Sequence, residues 1–497
     1  MAALLGACAV GPDYKRPSAD VPPKYKENAS WHEDWATAEP GDAFKRGAWW
    51  EIFGDAKLNE LEAQVDDANQ SLAQAEAQFR QAAALVSQAR ASYFPTLSVS
   101  ASATRSGRNS DNGSIITGTG TVIGGTTGST TAGSRIGNQY SLPISASWEP
   151  DLWGRVRRTV EQQAGNAQAS AATLESTRLS LHSQLAQDYF QLRIVDEQKR
   201  LLEDTVAAYR KSLQLTQNQY NVGVAARSDV VQADTQLKQA QVQAIDLGVS
   251  RAQLEHAIAL LIGKTPAEFS LDQVKFDIKP PAIPVGVPSQ LLQRRPDVAV
   301  AERQAMSANA QIGVAESAYF PTLNLSASAG FQSSSFSKWL TAPSRFWSLG
   351  PELAETIFDG GLRRAQTAQA RAAYDAAVAN YREVSLAAFQ NVEDNLSALR
   401  VLEAESAAQA DALAAAEEAL KITLNQYRAG TVSYLNVITS QATAYSNERN
   451  AISILGNRLN DSVALVEAAG GGWDDSQLPK PRDIDADSSA PKAASKD

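Results

Sequence analysis

The chain has 497 residues, 43% hydrophobic and 20% charged, with a formal net charge of −10. An acidic chain with no basic stripe interleaved with aromatics is not built for nucleic acid, so no nucleic-acid partner is expected. No stretch of about 18 apolar residues occurs, which excludes a membrane-spanning helix and leaves a closed β-barrel as the only way across a bilayer.

At the N-terminus, Leu4-Leu5-Gly6-Ala7-Cys8 has the form of a lipobox: a short apolar run, two small residues and a cysteine whose sulfur takes a diacylglyceryl group. Cys8 is therefore the expected lipidation site. Only seven residues precede it and none is basic, whereas a signal peptide has a basic start and a longer apolar core; residues 1–7 are read as the remnant of one. Cys8 is also the single cysteine, which excludes an intramolecular disulfide. Residues 8–54 read as a lipidated strap, because Gly11 to Gly41 is polar, contains proline and lacks any period.

From residue 55 the chain repeats itself. Ala91-Ser92-Tyr93-Phe94-Pro95-Thr96-Leu97 returns as Ser317-Ala318-Tyr319-Phe320-Pro321-Thr322-Leu323. Leu152-Trp153-Gly154-Arg155-Val156-Arg157-Arg158 returns as Phe358-Asp359-Gly360-Gly361-Leu362-Arg363-Arg364, and Asn218-Gln219-Tyr220-Asn221-Val222-Gly223 as Asn425-Gln426-Tyr427-Arg428-Ala429-Gly430. The first repeat spans 55–263 and the second 289–469, each reading helix, hairpin, helix, helix; 264–288 is a linker and 470–497 a C-terminal tail.

The first helix is expected over Asp55 to Ser92, with its counterpart from Pro296 to Ala318. Both stop at Tyr-Phe-Pro, where proline drives the preceding residue out of the helical region. The period then changes from 3.6 to 2. Strands of about nine residues are expected near 95–104, 140–149, 321–331 and 346–357, with Leu, Val, Ala and aromatics alternating with Ser and Thr. That is the length of a tilted strand crossing a bilayer, and the uncharged polar face suits a water-filled lumen. Tyr93, Phe94, Tyr140 and Trp148 near the strand ends suit an interfacial girdle. Arg105 to Gln139, rich in Gly, Ser and Thr, reads as a long surface loop.

Four long helices are expected over about 154–221, 226–263, 361–428 and 433–469. Gly154 to Asn221 holds no proline and one interior glycine, Gly165, which amounts to roughly 100 Å of helix. Such helices need partners along their whole length, as in an antiparallel coiled coil. The pairs turn at Gly223 and Gly430.

Nothing in the chain points to catalysis. There is no Ser-His-Asp order, no phosphate loop and no pair of carboxylates enclosed in an apolar setting, so no enzyme is expected. Glu51, Asp55, Asp474 and Asp475 read as solvated charges or helix-start residues. His32, His182 and His256 stand at no ligand spacing, so neither metal nor cofactor is expected; those in helical stretches read as solvated or packed helix residues.

Several pieces together carry a family resemblance: Ala48-Trp49-Trp50-Glu51-Ile52-Phe53-Gly54-Asp55, Leu291-Leu292-Gln293-Arg294-Arg295-Pro296-Asp297-Val298, Ala308-Asn309-Ala310-Gln311-Ile312-Gly313, Phe320-Pro321-Thr322-Leu323 and Gly470-Gly471-Gly472-Trp473. In these, over Cys8 to Trp473, the chain resembles the TolC-like outer-membrane factors, in particular the NodT- and OprM-type lipoprotein branch that serves resistance-nodulation-division pumps. The resemblance implies an α+β membrane protein. Three copies, each giving four strands, form one twelve-stranded barrel continuous with a long periplasmic α-helical barrel, and 264–288 and the tail supply a belt around the latter. Physics supports the homotrimer that the resemblance implies, since four strands leave open edges that lipid cannot satisfy and other chains, related by cyclic symmetry, must close them.

The implied role is passive conduction of drugs or other small molecules across the outer membrane of a Gram-negative bacterium. The implied partners are outer-membrane lipid, a periplasmic membrane-fusion adaptor and an inner-membrane resistance-nodulation-division transporter. A duct for type I protein secretion is the alternative, and a structural periplasmic coiled coil or adhesin a third; the lipobox and Arg294-Arg295-Pro296-Asp297 favour the first. By the same resemblance the adaptor contacts are Val222, Gly223, Val224 and Ala225 at one turn and Ala429, Gly430, Thr431 and Val432 at the other. The resting gate falls on Tyr427 with Asp229, and on Leu435, Asn436 and Thr439. Relatives often carry an aspartate where this chain has Thr439, with Asn436 three residues earlier, so a cation-selecting carboxylate ring is not expected.

Overall fold

The computed structural model describes residues 9–27, 47–108, 135–276, 278–281, 283 and 288–484. Cys8, His32, residues 109–134 of the expected loop, part of the linker and the tail beyond 484 lie outside the described residues. The elements run α1 (Ala56–Ala68), α2 (Gln70–Ala91), β1 (Thr96–Val99), β2 (Ser102–Arg108), β3 (Arg135–Trp148), α3 (Arg155–Asn221), α4 (Arg227–Leu261), α5 (Pro288–Arg294), α6 (Pro296–Ser317), β4 (Thr322–Ser333), β5 (Arg345–Ala354), α7 (Leu362–Arg428) and α8 (Tyr434–Ala468).

The duplication is kept residue by residue in the helices. α2 and α6 each have 22 residues, α3 and α7 each 67, α4 and α8 each 35. The offset falls from 226 (Gln70 to Pro296) to 207 (Arg155 to Leu362), so the whole difference is taken up between the two helices, in the strands and their connections.

One expected helix is two. Residues 55–92 break at Asn69, which is extended (φ −71, ψ 123). Its Oδ1 accepts from the Ser71 and Leu72 N–H groups and so starts α2. Its Nδ2 donates to the Leu261 carbonyl, one of the unpaired acceptors at the end of α4. Gly263 sits against the same break: at φ +69, a Cβ there would meet the Ala68 carbonyl oxygen at 2.3 Å.

The chain divides into two compact units. The first, comprising 1–13, 85–162 and 309–372, contains the sheet. Its order is β1-β3-β4-β5 with every pair antiparallel, and β2 also pairs with β3. β1 and β2 are one strand interrupted: Thr96 faces Ser147 and Ser102 faces Ser141, so the register is unchanged across the gap. The cause is Pro143. It lacks an N–H and cannot complete the ladder to the first strand, although its carbonyl still accepts from the Ser100 N–H at 3.1 Å. The strands are also longer than expected, 14 residues for β3 and 12 for β4.

Register sorts the side chains into rows across all four strands. Leu97, Ala146, Ala327 and Leu349 form one row, and Val99, Ile144, Ala329 and Trp347 another on the same face. Between them, on the opposite face, lies a row of four serines: Ser98, Ser145, Ser328 and Ser348. The apolar row ends are bare, with Leu97, Leu349 and Trp347 75%, 76% and 79% exposed. Two aromatic groups bound the strands. At one end Trp148 Nε1 donates to the Tyr93 carbonyl and Trp153 stacks on Phe320 at 4.9 Å. At the other Tyr140 lies 5.5 Å from Phe336 and 5.9 Å from Trp339.

The second unit, comprising 14–84, 163–308 and 373–497, has an apolar core in which Trp49, Phe53, Tyr189, Phe190 and Tyr381 are buried. Chain outside the helices is tied on by charged groups. Glu393 accepts the Lys26 and Glu27 N–H groups of the strap, and Glu197 accepts the Phe276 N–H of the linker. Two of the motifs that carry the family resemblance meet here. Arg295 pairs with Asp297 at 2.6 Å and donates to the Ala468 carbonyl, capping α8. Gly470 follows at φ +94, so close that a Cβ would lie 2.1 Å from the Arg294 carbonyl oxygen.

A further close approach marks the sheet: a Cβ on Gly330 would fall 2.1 Å from the Leu142 carbonyl oxygen. Gly330→Ala is expected to destabilise the protein by about 1–3 kcal/mol, the cost of forcing an extra methyl group into a packed site. Gly350, with nothing within 4 Å of its Cβ position, is the control. Thermal unfolding of the detergent-solubilised variants checks this, and equal midpoints for both alanine variants would contradict it.

Candidate functional site: the helix turns and a buried histidine

Both turns between long helices have the same construction. At the end of α3 the Gly223 N–H bonds the Tyr220 carbonyl and the Val224 N–H the Gln219 carbonyl. At the end of α7 the Gly430 N–H bonds the Tyr427 carbonyl and the Thr431 N–H the Gln426 carbonyl. This is the Schellman closure, which needs a left-handed residue after the helix; Gly223 and Gly430 supply it at φ 78 and 74. Nothing lies within 4 Å of either Cβ position, so the glycines serve the backbone and leave the turns open.

The side chains of the two turns differ. Tyr220 is 40% exposed, while its counterpart Tyr427 is 5% exposed and packs with Tyr434, Val437 and Ala233. The Tyr427 ring lies 5.4 Å from that of Tyr434, and its hydroxyl pairs with Thr216 Oγ1 of α3 at 3.1 Å. Burial, opposed by the Thr216 hydrogen bond and reinforced by the Asp229 charge, raises the Tyr427 pKa. Asp229 stands in the first turn of α4, where the helix dipole favours a carboxylate, and accepts from Ser228 Oγ at 3.4 Å. Within the protomer the Tyr427 hydroxyl is thus engaged with Thr216, and Asp229 lies near enough for its charge to be felt.

Leu435 is 59% exposed although apolar, as are Val222 and Val224. Asn436 occupies the place in α8 that Asp229 has in α4, its N–H bonding the Ser433 carbonyl. The Thr439 hydroxyl folds back onto the Leu435 carbonyl at 3.1 Å. Ala225, Ala429, Thr431 and Val432 complete the two turns, and the Thr431 hydroxyl adds a second bond to the Gln426 carbonyl.

The histidines and acids divide between solvent, caps and the packed interior. Asp55 caps α1 and Asp474 caps the one-turn helix after it, as helix-start residues do. His256 is exposed. His182, however, is buried in a polar cluster that sequence reading missed. Its Nδ1 lies 2.6 Å from Glu62 Oε2 and its Nε2 3.4 Å from Asp66 Oδ1, and its ring stacks on Trp50 at 4.4 Å. Glu62 is fully buried, so an enclosed carboxylate does exist. The signal was available: Glu62 falls among Leu58, Leu61 and Val65 on the apolar face of α1, with Asp66 one turn on.

Burial works against an imidazolium at His182, but Asp66 and Glu62 outweigh it and raise its pKa from 6.5 to about 9. Burial also raises the Glu62 pKa, to about 7, with His182 pulling it down. A His pKa raised in the folded state contributes stability that is complete below about 6.5 and is lost as pH rises through about 9. The Glu62 shift has the same sign. The unfolding midpoint of the purified protein is therefore expected to fall between pH 6.5 and 9.5, and His182→Gln to flatten that slope. At pH 6.5, removing the imidazole and leaving Glu62 without its partner should itself cost about 1–3 kcal/mol. Parallel pH profiles for variant and wild type would contradict it.

Comparison with known proteins places this architecture. The outer membrane efflux protein family matches residues 63–264 and 287–471, which are the two repeats. Over 481 residues the chain is 31% identical to the solvent efflux pump outer membrane protein SrpC of Pseudomonas putida, covering 95% of this chain and 97% of that one. It is 27% identical, over 95% of this chain and 97% of the other, to the cation efflux system protein CusC of Escherichia coli. Among solved structures it superposes on the outer-membrane channel OprN with a TM-score of 0.83 and 29% identity, covering 94% of this chain and all of that one. With its long helices, its antiparallel strands and both repeats matched, the chain belongs to the outer membrane efflux protein family and is a passive outer-membrane channel component of an efflux system, not an enzyme.

Proposed function

We propose that three copies close into a twelve-stranded barrel that continues into a periplasmic helical barrel, and that this duct serves a resistance-nodulation-division transporter through a periplasmic adaptor. One observation carries the reading. The sheet ends at β1/β2 on one side and β5 on the other, while one face is apolar from edge to edge and exposed at both edge strands. In lipid those edges must be paired, and copies of the same chain pair them without a new surface. The serine rows then line water. Relatives named for solvent and cation export support the efflux reading and also show that cargo is not written into this fold. Native mass spectrometry of detergent-solubilised protein should give three 53.1 kDa chains per particle. A monodisperse monomer or dimer would overturn the barrel.

The turns are the adaptor contacts and the resting gate. Exposed Val222, Val224 and Leu435 need a covering partner, and in a closed trimer three Leu435 side chains converge while Asp229 of a neighbouring copy draws the Tyr427 hydroxyl away from Thr216. A hydrogen bond to a charged group contributes about 1.5–3 kcal/mol, and three by symmetry make the open state rare; an apolar ring adds a dewetting barrier. Asp229→Ala with Leu435→Ser should raise single-channel conductance in planar bilayers and sensitise cells to vancomycin. Thr439→Asp should introduce block by trivalent cations. A double variant that conducts like wild type puts the constriction elsewhere.

Membership of the lipoprotein branch rests on Cys8. Mass spectrometry of protein from its own host should find a triacylated cysteine at the mature N-terminus; a free thiol there removes the anchor while leaving the duct intact.

A further inference from the structure

The rows of the sheet sort charge as well as hydropathy. On the apolar face, the row after Val99, Ile144, Ala329 and Trp347 is Leu142, Phe331 and Arg345. Further along the same face Arg105 stands opposite Asn138. The Arg345 guanidinium lies over the Phe331 ring, 6.0 Å from its centroid. One row on along that face is Tyr140, which both Phe336 and Trp339 contact; these two rings are 6.1 Å apart, with exposed Lys338 between them in sequence. Phe336 and Leu340 are 69% and 61% exposed.

Charge is one-sided here. Described residues 96–108, 135–148 and 322–354 hold Arg105, Arg108, Arg135, Lys338 and Arg345 against one acid, Glu352. Glu352 pairs with Asn324, at the other end of the strands and on the opposite face. Among the described residues Arg105, Lys338 and Arg345 form no ion pair. Arg345 instead stands over the Phe331 ring, and Lys338 lies between Phe336 and Trp339 in sequence.

We propose that this rim docks the phosphate groups of an anionic lipid, with Arg105, Lys338 and Arg345 holding the headgroup and Phe336, Trp339 and Leu340 covering the upper acyl chain. Guanidinium groups bind phosphate bidentately, and stacking on Phe331 orients one of them. The exposed apolar side chains select a lipid over a free anion, because a soluble phosphate gives them nothing to cover. In the closed barrel β5 of one copy adjoins β1/β2 of the next, which brings Arg345 and Arg105 toward one site at each of three seams. The inference rests on the reading of the apolar face as membrane-facing.

The test compares wild type, R105Q/K338Q/R345Q and the charge-keeping R105K/R345K, each reconstituted in vesicles of phosphatidylcholine with or without bisphosphorylated lipid A. Bound lipid is then counted by native mass spectrometry after detergent release. Wild type should retain lipid A over phosphatidylcholine, the glutamine variant should bind it about tenfold more weakly, the loss expected when charge-assisted bonds go, and the lysine variant should fall between. Protein that enters vesicles but shows no headgroup preference, a glutamine variant that matches wild type, or competition by inorganic phosphate at equal concentration would overturn the proposal and leave the membrane reading standing. Failure to enter vesicles at all would overturn both.

Discussion

A strand edge presents unpaired N–H and C=O groups, and in hydrocarbon each costs several kcal/mol with no water to relieve it. This sheet has two such edges, and its apolar face is bare. The rest of the molecule answers that demand. In the proposed barrel the closed strands acquire an inside, and the register puts serine rather than leucine there. The long helices pose the same problem in another form. Each presents small residues over 67 positions, and helices of that length hold only when something packs along them throughout.

The most specific family motifs do mechanical work, not chemistry. Arg295 and Asp297 form a local pair whose guanidinium also caps α8, and the glycines from 470 to 472 let the chain leave that helix against the Arg294 backbone. Gly11 and Gly313 approach as closely, and a Cβ on Gly11 would lie 2.4 Å from the Gly313 Cα. Such positions admit one residue type for want of space. They identify the fold strongly while saying nothing about cargo, which agrees with relatives named for substances as different as solvents and cations.

Much of the fold was legible because it depends on period. A change from 3.6 to 2 at Tyr-Phe-Pro, written twice, marks the strands, and unbroken Ala-, Gln- and Glu-rich runs mark the helices to within a residue or two. What escaped depends on tertiary contact. Asn69 breaks a helix only because the α4 end needs a donor. Pro143 interrupts its neighbour's strand, not its own. His182 was read as an ordinary helix residue because its partners stand 120 and 116 positions earlier, in α1. The turns were found by their glycines, but no spacing shows that Tyr427 is buried on Thr216 while Tyr220 stays in the open.

The equal lengths of the duplicated helices bear on how such a chain can vary. Each residue added to a helix turns everything beyond it by about 100° and advances it 1.5 Å, so one insertion would carry a packed face toward solvent. In α3 and α7, and again in α4 and α8, the count has been kept to the residue, while the intervening hairpins differ by 19 (226 against 207). Between α2 and α8 the two halves have therefore drifted in length only in the strands and their connections. Those connections can lengthen without turning a packed face, whereas the span toward the turns behaves as a ruler, and both halves must be cut to it alike.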